Sequence, residues 1–168
     1  TSITFSNLPL GWYLVVSDLN NGAICSIGTT ATNAVIEEKN SKPTIEKEVF
    51  EGTTPGYSND AGIGDTVKFQ TYIYVTDGKP TNYVLHDTMT TGLSFDDTSV
   101  KVWLTRDPTT GGTMHNDLLT PVTDYELVTS TSDKCTFEIK FHKDLMPYDV
   151  ILVTYNATVT ADAEIGTK

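Results

Sequence analysis

A lysine set among apolar residues is the first place where this sequence suggests chemistry. In the run Thr44-Ile45-Glu46-Lys47-Glu48-Val49, a β-strand would turn Ile45, Lys47 and Val49 to one face and Thr44, Glu46 and Glu48 to the other. An ammonium on an apolar face is costly to desolvate, and burial favours the neutral amine. A neutral amine is a nucleophile. The same pattern also fits a lysine whose stem runs past a sheet edge into solvent, or one that guards an edge strand against aggregation.

Asp87 is the second candidate. In Tyr83-Val84-Leu85-His86-Asp87 it shares a strand face with Tyr83 and Leu85, and a carboxyl isolated in a core tends to keep its proton. From the residues alone, an aspartate closing a strand beside a turn is an equal alternative. His86, His115 and His142 are scattered, with no cysteine or carboxylate at ligand spacing, so no metal site is expected. Cys25 and Cys135 have no CxxC partner, which leaves out a redox motif. Cys135 alternates with Phe137, Ile139 and Phe141 and reads as a core thiol. Asp96, Asp97 and Asp107 read as solvated loop carboxylates rather than a calcium site. No phosphate-binding or hydrolase glycine pattern occurs, and no cofactor is expected. Asn156-Ala157-Thr158 is formally a glycosylation triplet.

The elements that must hold these groups are strands. The chain has 168 residues, 38% of them hydrophobic, enough for one full core and part of another. Eleven basic residues stand against 22 acidic ones, a net charge of −11 without a basic cluster, which excludes nucleic acid and anionic membranes as partners. The sequence has no apolar run of about 18 residues and no signal-peptide pattern, so it reads as a mature fragment with its targeting segments elsewhere.

Residues 1–36 give short β-rich runs at Ile3-Thr4-Phe5, Trp12 to Val16, Ala23 to Ile27 and Ala34-Val35-Ile36, punctuated by Pro/Gly and Asn-Gly turns. So few strands suggest the end of a preceding sandwich, with residues 1–40 forming its last strands and a linker. Residues 41–168 read as a fuller unit. Strict alternation over Val67 to Val75 marks a sheet with one buried face. Tyr83 to Asp87, Ser99 to Thr105, Tyr125 to Thr129, Cys135 to Phe141 and Val150 to Val159 follow at sandwich spacing. Long helical periodicity is absent, with a single turn expected over Lys143 to Met146 before Pro147. The fold class is all-β, an immunoglobulin-like sandwich.

Several motifs in order carry a family resemblance over nearly the whole chain. Phe5 to Val15, Glu38-Lys39-Asn40, Pro43-Thr44-Ile45-Glu46-Lys47, Gly64-Asp65-Thr66-Val67, His86-Asp87-Thr88-Met89 with Gly92-Leu93, and Val153 to Thr158 together resemble the isopeptide-forming major pilins of Gram-positive bacteria. The resemblance implies collagen-adhesin-type sandwiches in which a first-strand lysine bonds to a last-strand asparagine, helped by a core carboxyl. Lys47 falls on the lysine position and Asp87 on the carboxyl position. A protonated acid would polarise the asparagine carbonyl, the amine would attack, and ammonia would leave.

Alternation places Val153, Tyr155, Ala157 and Val159 on the core face and Asn156 on the other. In the family, the run resembling Tyr155-Asn156-Ala157-Thr158 is the penultimate strand. The linking asparagine is therefore expected beyond Lys168, with Asn156 a weaker candidate. The resemblance also makes Lys39 the acceptor to which a sortase joins the next subunit, although Glu37 and Glu38 replace the usual aromatic and proline.

The function implied is a structural subunit of a cell-wall-anchored extracellular pilus, with other pilin subunits and a sortase as partners. It is not an enzyme beyond one autocatalytic turnover. One alternative is an adhesin holding a host surface molecule through Thr105 to Thr123, with Trp103 at its base. Another is a fragment that couples covalently to a peptide carrying the missing strand.

Overall fold

The computed structural model describes residues 3–16, 22–28, 33–35, 43–76, 82–106 and 115–163. Among them it contains strands and no helix. In chain order these are β1 (Gly11–Val16), β2 (Gly22–Ile27), β3 (Thr44–Glu51), β4 (Thr54–Gly56), β5 (Thr66–Tyr74), β6 (Val84–Asp87), β7 (Leu93–Arg106), β8 (His115–Leu118), β9 (Tyr125–Val128), β10 (Phe137–Phe141) and β11 (Val150–Val159). A six-stranded sheet of order β4-β3-β5-β11-β7-β8 and a three-stranded sheet of order β6-β10-β9 form the sandwich, and β1 and β2 make a separate antiparallel hairpin.

The central strand β11 is antiparallel to β5 on one side and to β7 on the other. Its alternation is strict: Ile151, Val153, Tyr155 and Ala157 are fully buried, while Thr154 and Asn156 between them are not. Opposite them, β10 contributes Phe137, Ile139 and Phe141, and β6 contributes Leu85. β-branched and aromatic residues meet at this interface because a pleated, half-buried surface suits their shape.

Four local readings differ from the sequence expectation. Residues 33–35 are not in a strand, and residues 143–146 form no helical turn; Asp149, buried nearby, instead accepts from the Met146 amide and pairs with Arg106. β4 and β8 are strands of three and four residues, too short to show a period in sequence. β7 begins at Leu93, not Ser99. Its register against β11 shifts between Thr154 and Asn156. The Asp96 carboxylate accepts from the Thr98 amide and hydroxyl, and Ser99 Oγ accepts from the Asn156 amide, so side chains satisfy the backbone where the ladder is interrupted.

Gly92 turns the chain into β7 at φ +99°, and a Cβ there would lie 2.4 Å from the backbone of Ala163. Only glycine combines that conformation with so close an approach.

Candidate functional site

Lys47 sits on β3, paired with Thr71 of β5. Asp87 ends β6, opposite Phe137 of β10, and its carbonyl accepts from the Thr136 amide. The two residues belong to different sheets, and their side chains close the gap. Lys47 Nζ donates to Asp87 Oδ1 at 2.7 Å and to Oδ2 at 2.9 Å. The Asp87 side chain is buried, whereas that of Lys47 is 38% exposed.

A third group completes the cluster. The Tyr155 hydroxyl donates to Asp87 Oδ2 at 2.8 Å. Burial first, and the neighbouring Asp87 charge second, push the Tyr155 phenol far above its ordinary range, so it stays protonated and remains a donor. Its ring stacks on Phe69 at 5.3 Å and meets Phe137 edge-on at 5.1 Å. The Lys47 amine lies 5.4 Å from the Phe69 centroid and 5.6 Å from that of Tyr155, close enough for the ring faces to attract a cation. Sequence reasoning placed Tyr155 on the core face without assigning it a part in the site. Its signal was there, an inward phenol that needs a polar partner when buried.

The cover over Lys47 differs from a closed core face. Ile45, on the same side of β3, is 59% exposed. The reason is in the topology: β4 pairs with β3 only at Val49, Phe50 and Glu51, and β6 is the edge of its sheet. Along Thr44 to Glu48 and along β6, each free strand edge therefore lacks a strand partner among the described residues. Lys47 and Asp87 bridge the sheets at this open side.

Asn156 lies on the opposite face from Tyr155, half-buried, with its amide bonded to Ser99. It is not brought to Lys47, whose hydrogen bonds both go to Asp87. Lys39 lies outside the described residues, as does Asp107.

One of the three histidines, His86, has neighbours in the fold that its sequence spacing did not show. Antiparallel pairing sets His86 of β6 directly across from Glu138 of β10, and the turn before β10 adds Asp133 and Cys135. His86 Nδ1 is 2.7 Å from Asp133 Oδ2, 3.5 Å from Glu138 Oε1 and 3.9 Å from Cys135 Sγ. Cys135 is buried as a free thiol, but it precedes the strand, and its sulfur stands beside the outward-facing His86. The donors that sequence spacing kept apart are neighbours in the fold.

No family model matches the chain, and no curated protein matches it. Solved structures do. The pilus backbone protein RrgB from Streptococcus pneumoniae matches with a TM-score of 0.53 at 20% identity, over 74% of this chain and 48% of that one. The T6 backbone pilin of serotype M6 Streptococcus pyogenes, described as a modular three-domain structure, matches with a TM-score of 0.56 at 17% identity, over 94% of this chain and 34% of that one. The chain thus spans between a third and half of the length of these proteins, and at such identities the likeness is one of architecture: this is the β-sandwich fold of Gram-positive pilus backbone proteins.

Proposed function

We propose that the chain is a structural segment of a cell-surface pilus subunit and that Lys47 is the nucleophile of an intramolecular isopeptide bond assisted by Asp87. The observation that carries this reading is the buried Asp87 carboxyl bonded to the Lys47 amine at 2.7 Å on the uncovered side of the sandwich. An ammonium and a carboxylate at that distance become an amine and a carboxylic acid when one proton passes along the hydrogen bond. Tyr155 holds Asp87 Oδ2 from the other side, which fixes the acid's orientation.

A strand laid along the free edge of β3 by β-augmentation would bring an asparagine carboxamide to this pair. The Asp87 acid donates to the amide oxygen, Lys47 Nζ bonds to the amide carbon, the C–N bond breaks, and nitrogen leaves as ammonia with the proton lost by the lysine. The asparagine belongs to a strand outside the described residues. The new bond closes a loop of over a hundred residues if that strand follows β11, a constraint of about 4–5 kcal/mol in chain-entropy terms. For a shaft under tension, a slowed unfolding rate matters more.

Intact-mass measurement of the natural full-length subunit tests the reading. The expected result is a loss of about 17 Da, the mass of the ammonia released by amine attack on an amide, with the cross-link mapped to Lys47. It should vanish in Lys47→Ala and fall sharply in Asp87→Ala. A subunit with no mass loss, or a cross-link at Asn156, would overturn the assignment. Lys39 is proposed as the sortase acceptor on the strength of Glu38-Lys39-Asn40: Lys39→Arg should abolish sortase-dependent polymers and Lys42→Arg should leave them. Unchanged polymers in Lys39→Arg would reject that role.

A further inference from the structure

We propose that His86, Asp133, Cys135 and Glu138 form a binding site for a zinc-class divalent cation on the outer face of the β6–β10 pair. One donor atom from each residue falls within 4.8 Å of all the others. Four ligands around zinc at about 2.0–2.3 Å span somewhat less than that, so small rotations at the side-chain ends would bring the set to coordination distance. A nitrogen, a sulfur and two carboxylate oxygens are a borderline set that suits zinc, whereas calcium and magnesium take oxygen alone.

The framework is built by pairing and by a turn. His86 and Glu138 are cross-strand partners. Asp133 is held to the same turn as Cys135, since its Oδ1 accepts from the Cys135 amide at 3.1 Å, and Lys134 between them adopts φ 67°. Glu138 is buried, and its carboxylate faces His86 at 3.5 Å and Lys140 at 3.6 Å.

A nucleophilic use of Cys135 beside His86 is the competing chemistry. It needs a thiol made acidic and reachable. Here the thiol is buried, and its hydrogen goes to the Phe137 carbonyl at 3.3 Å. Cation binding instead displaces that proton to solvent as the metal–sulfur bond forms.

The test is calorimetric titration of the full chain with zinc, alongside absorption spectra with cobalt as a coloured substitute. The expected results are one saturable site per chain and a thiolate-to-cobalt charge-transfer band in the near ultraviolet. Cys135→Ser should remove the band. His86→Ala should weaken zinc by at least about tenfold, the loss that even outer-sphere partners can cause, while His142→Ala should bind as the parent does. Because His86 is exposed, its removal leaves the apo fold intact; zinc should then raise the melting temperature of the parent and not of His86→Ala. Binding that survives both His86→Ala and Cys135→Ser, or no saturable binding to the parent, overturns the proposal.

Discussion

Strand β6 puts two consecutive residues to opposite uses. Asp87 points inward to Lys47 and Tyr155, and His86 points outward to Asp133, Cys135 and Glu138. The two clusters share the β6–β10 ladder, because Asp87 faces Phe137 and His86 faces Glu138 in register. Their difference lies in what each depends on. The inner cluster ties Asp87 and Tyr155 into the sandwich core, with Lys47 reaching them from the open side, whereas the outer one is built on a turn and on the outward face of the β6–β10 ladder.

The largest contrast should therefore appear on removing a side chain from each face. Phe137 is fully buried and packs on Phe95 at 4.5 Å and on Tyr155, so Phe137→Ala should cost about 3–5 kcal/mol through lost transfer energy and a cavity. His86→Ala, without metal, should change stability by no more than about 0.5 kcal/mol. Denaturant titration of both variants decides it. An equal loss in the two would mean that the outer cluster buttresses the fold, and the contrast between the faces would collapse.

A smaller effect sharpens the inner half. Asp87→Ala removes the acceptor of the buried Tyr155 hydroxyl and of Lys47. Leaving a buried donor unsatisfied costs about 1–3 kcal/mol, while the partly exposed lysine recovers hydration. The expected loss, measured on chains that show no ammonia release, lies in that range. Tyr155→Phe should cost less, because the remaining carboxylate keeps its lysine. If Tyr155→Phe were the more damaging, the hydroxyl rather than the Lys47–Asp87 pair would be the organising contact.

The sequence carried one face of this comparison and concealed the other. Period-2 alternation was enough to put Leu85 and Asp87 on one side and Val153, Tyr155 and Ala157 together, since each strand states its own faces. It could not state what covers a face. Ile45, Lys47 and Val49 alternate as a buried set would, yet Ile45 is largely in solvent, because cover depends on which strand lies alongside. The outer cluster was hidden for a related reason. Its donors come from three separate places, residue 86, the turn at 133–135 and residue 138, and only the register Glu138↔His86 joins them. Short elements such as β4 and β8 left too few residues to set a period, and the bulge in β7 is made by Asp96 and Ser99 side chains whose partners lie on other residues. The Lys47–Asp87 pairing itself came from family resemblance, not from spacing.

The subtlest expected effect concerns how dry the inner face is. Tyr155 ionises with great difficulty in the fold, mainly because it is buried and then because Asp87 is beside it. Burial raises Tyr83 and Tyr125 in the same direction. A group whose folded pKa is raised contributes stability that is complete below its unfolded value, near 10 for tyrosine, and that drains away as pH rises above it, because the unfolded chain then releases a proton that the folded chain retains. Each such tyrosine steepens the decline by up to about 1.4 kcal/mol per pH unit. Tyr155→Phe removes its own contribution and keeps the ring. Its stability deficit relative to the parent should therefore be constant from pH 8 to about 9.5 and shrink beyond pH 10, as read from denaturation midpoints across that range. Two curves that stay parallel above pH 10 would mean that the phenol ionises as readily folded as unfolded, which would require water to reach Asp87 and would make the inner cluster as open as the outer one.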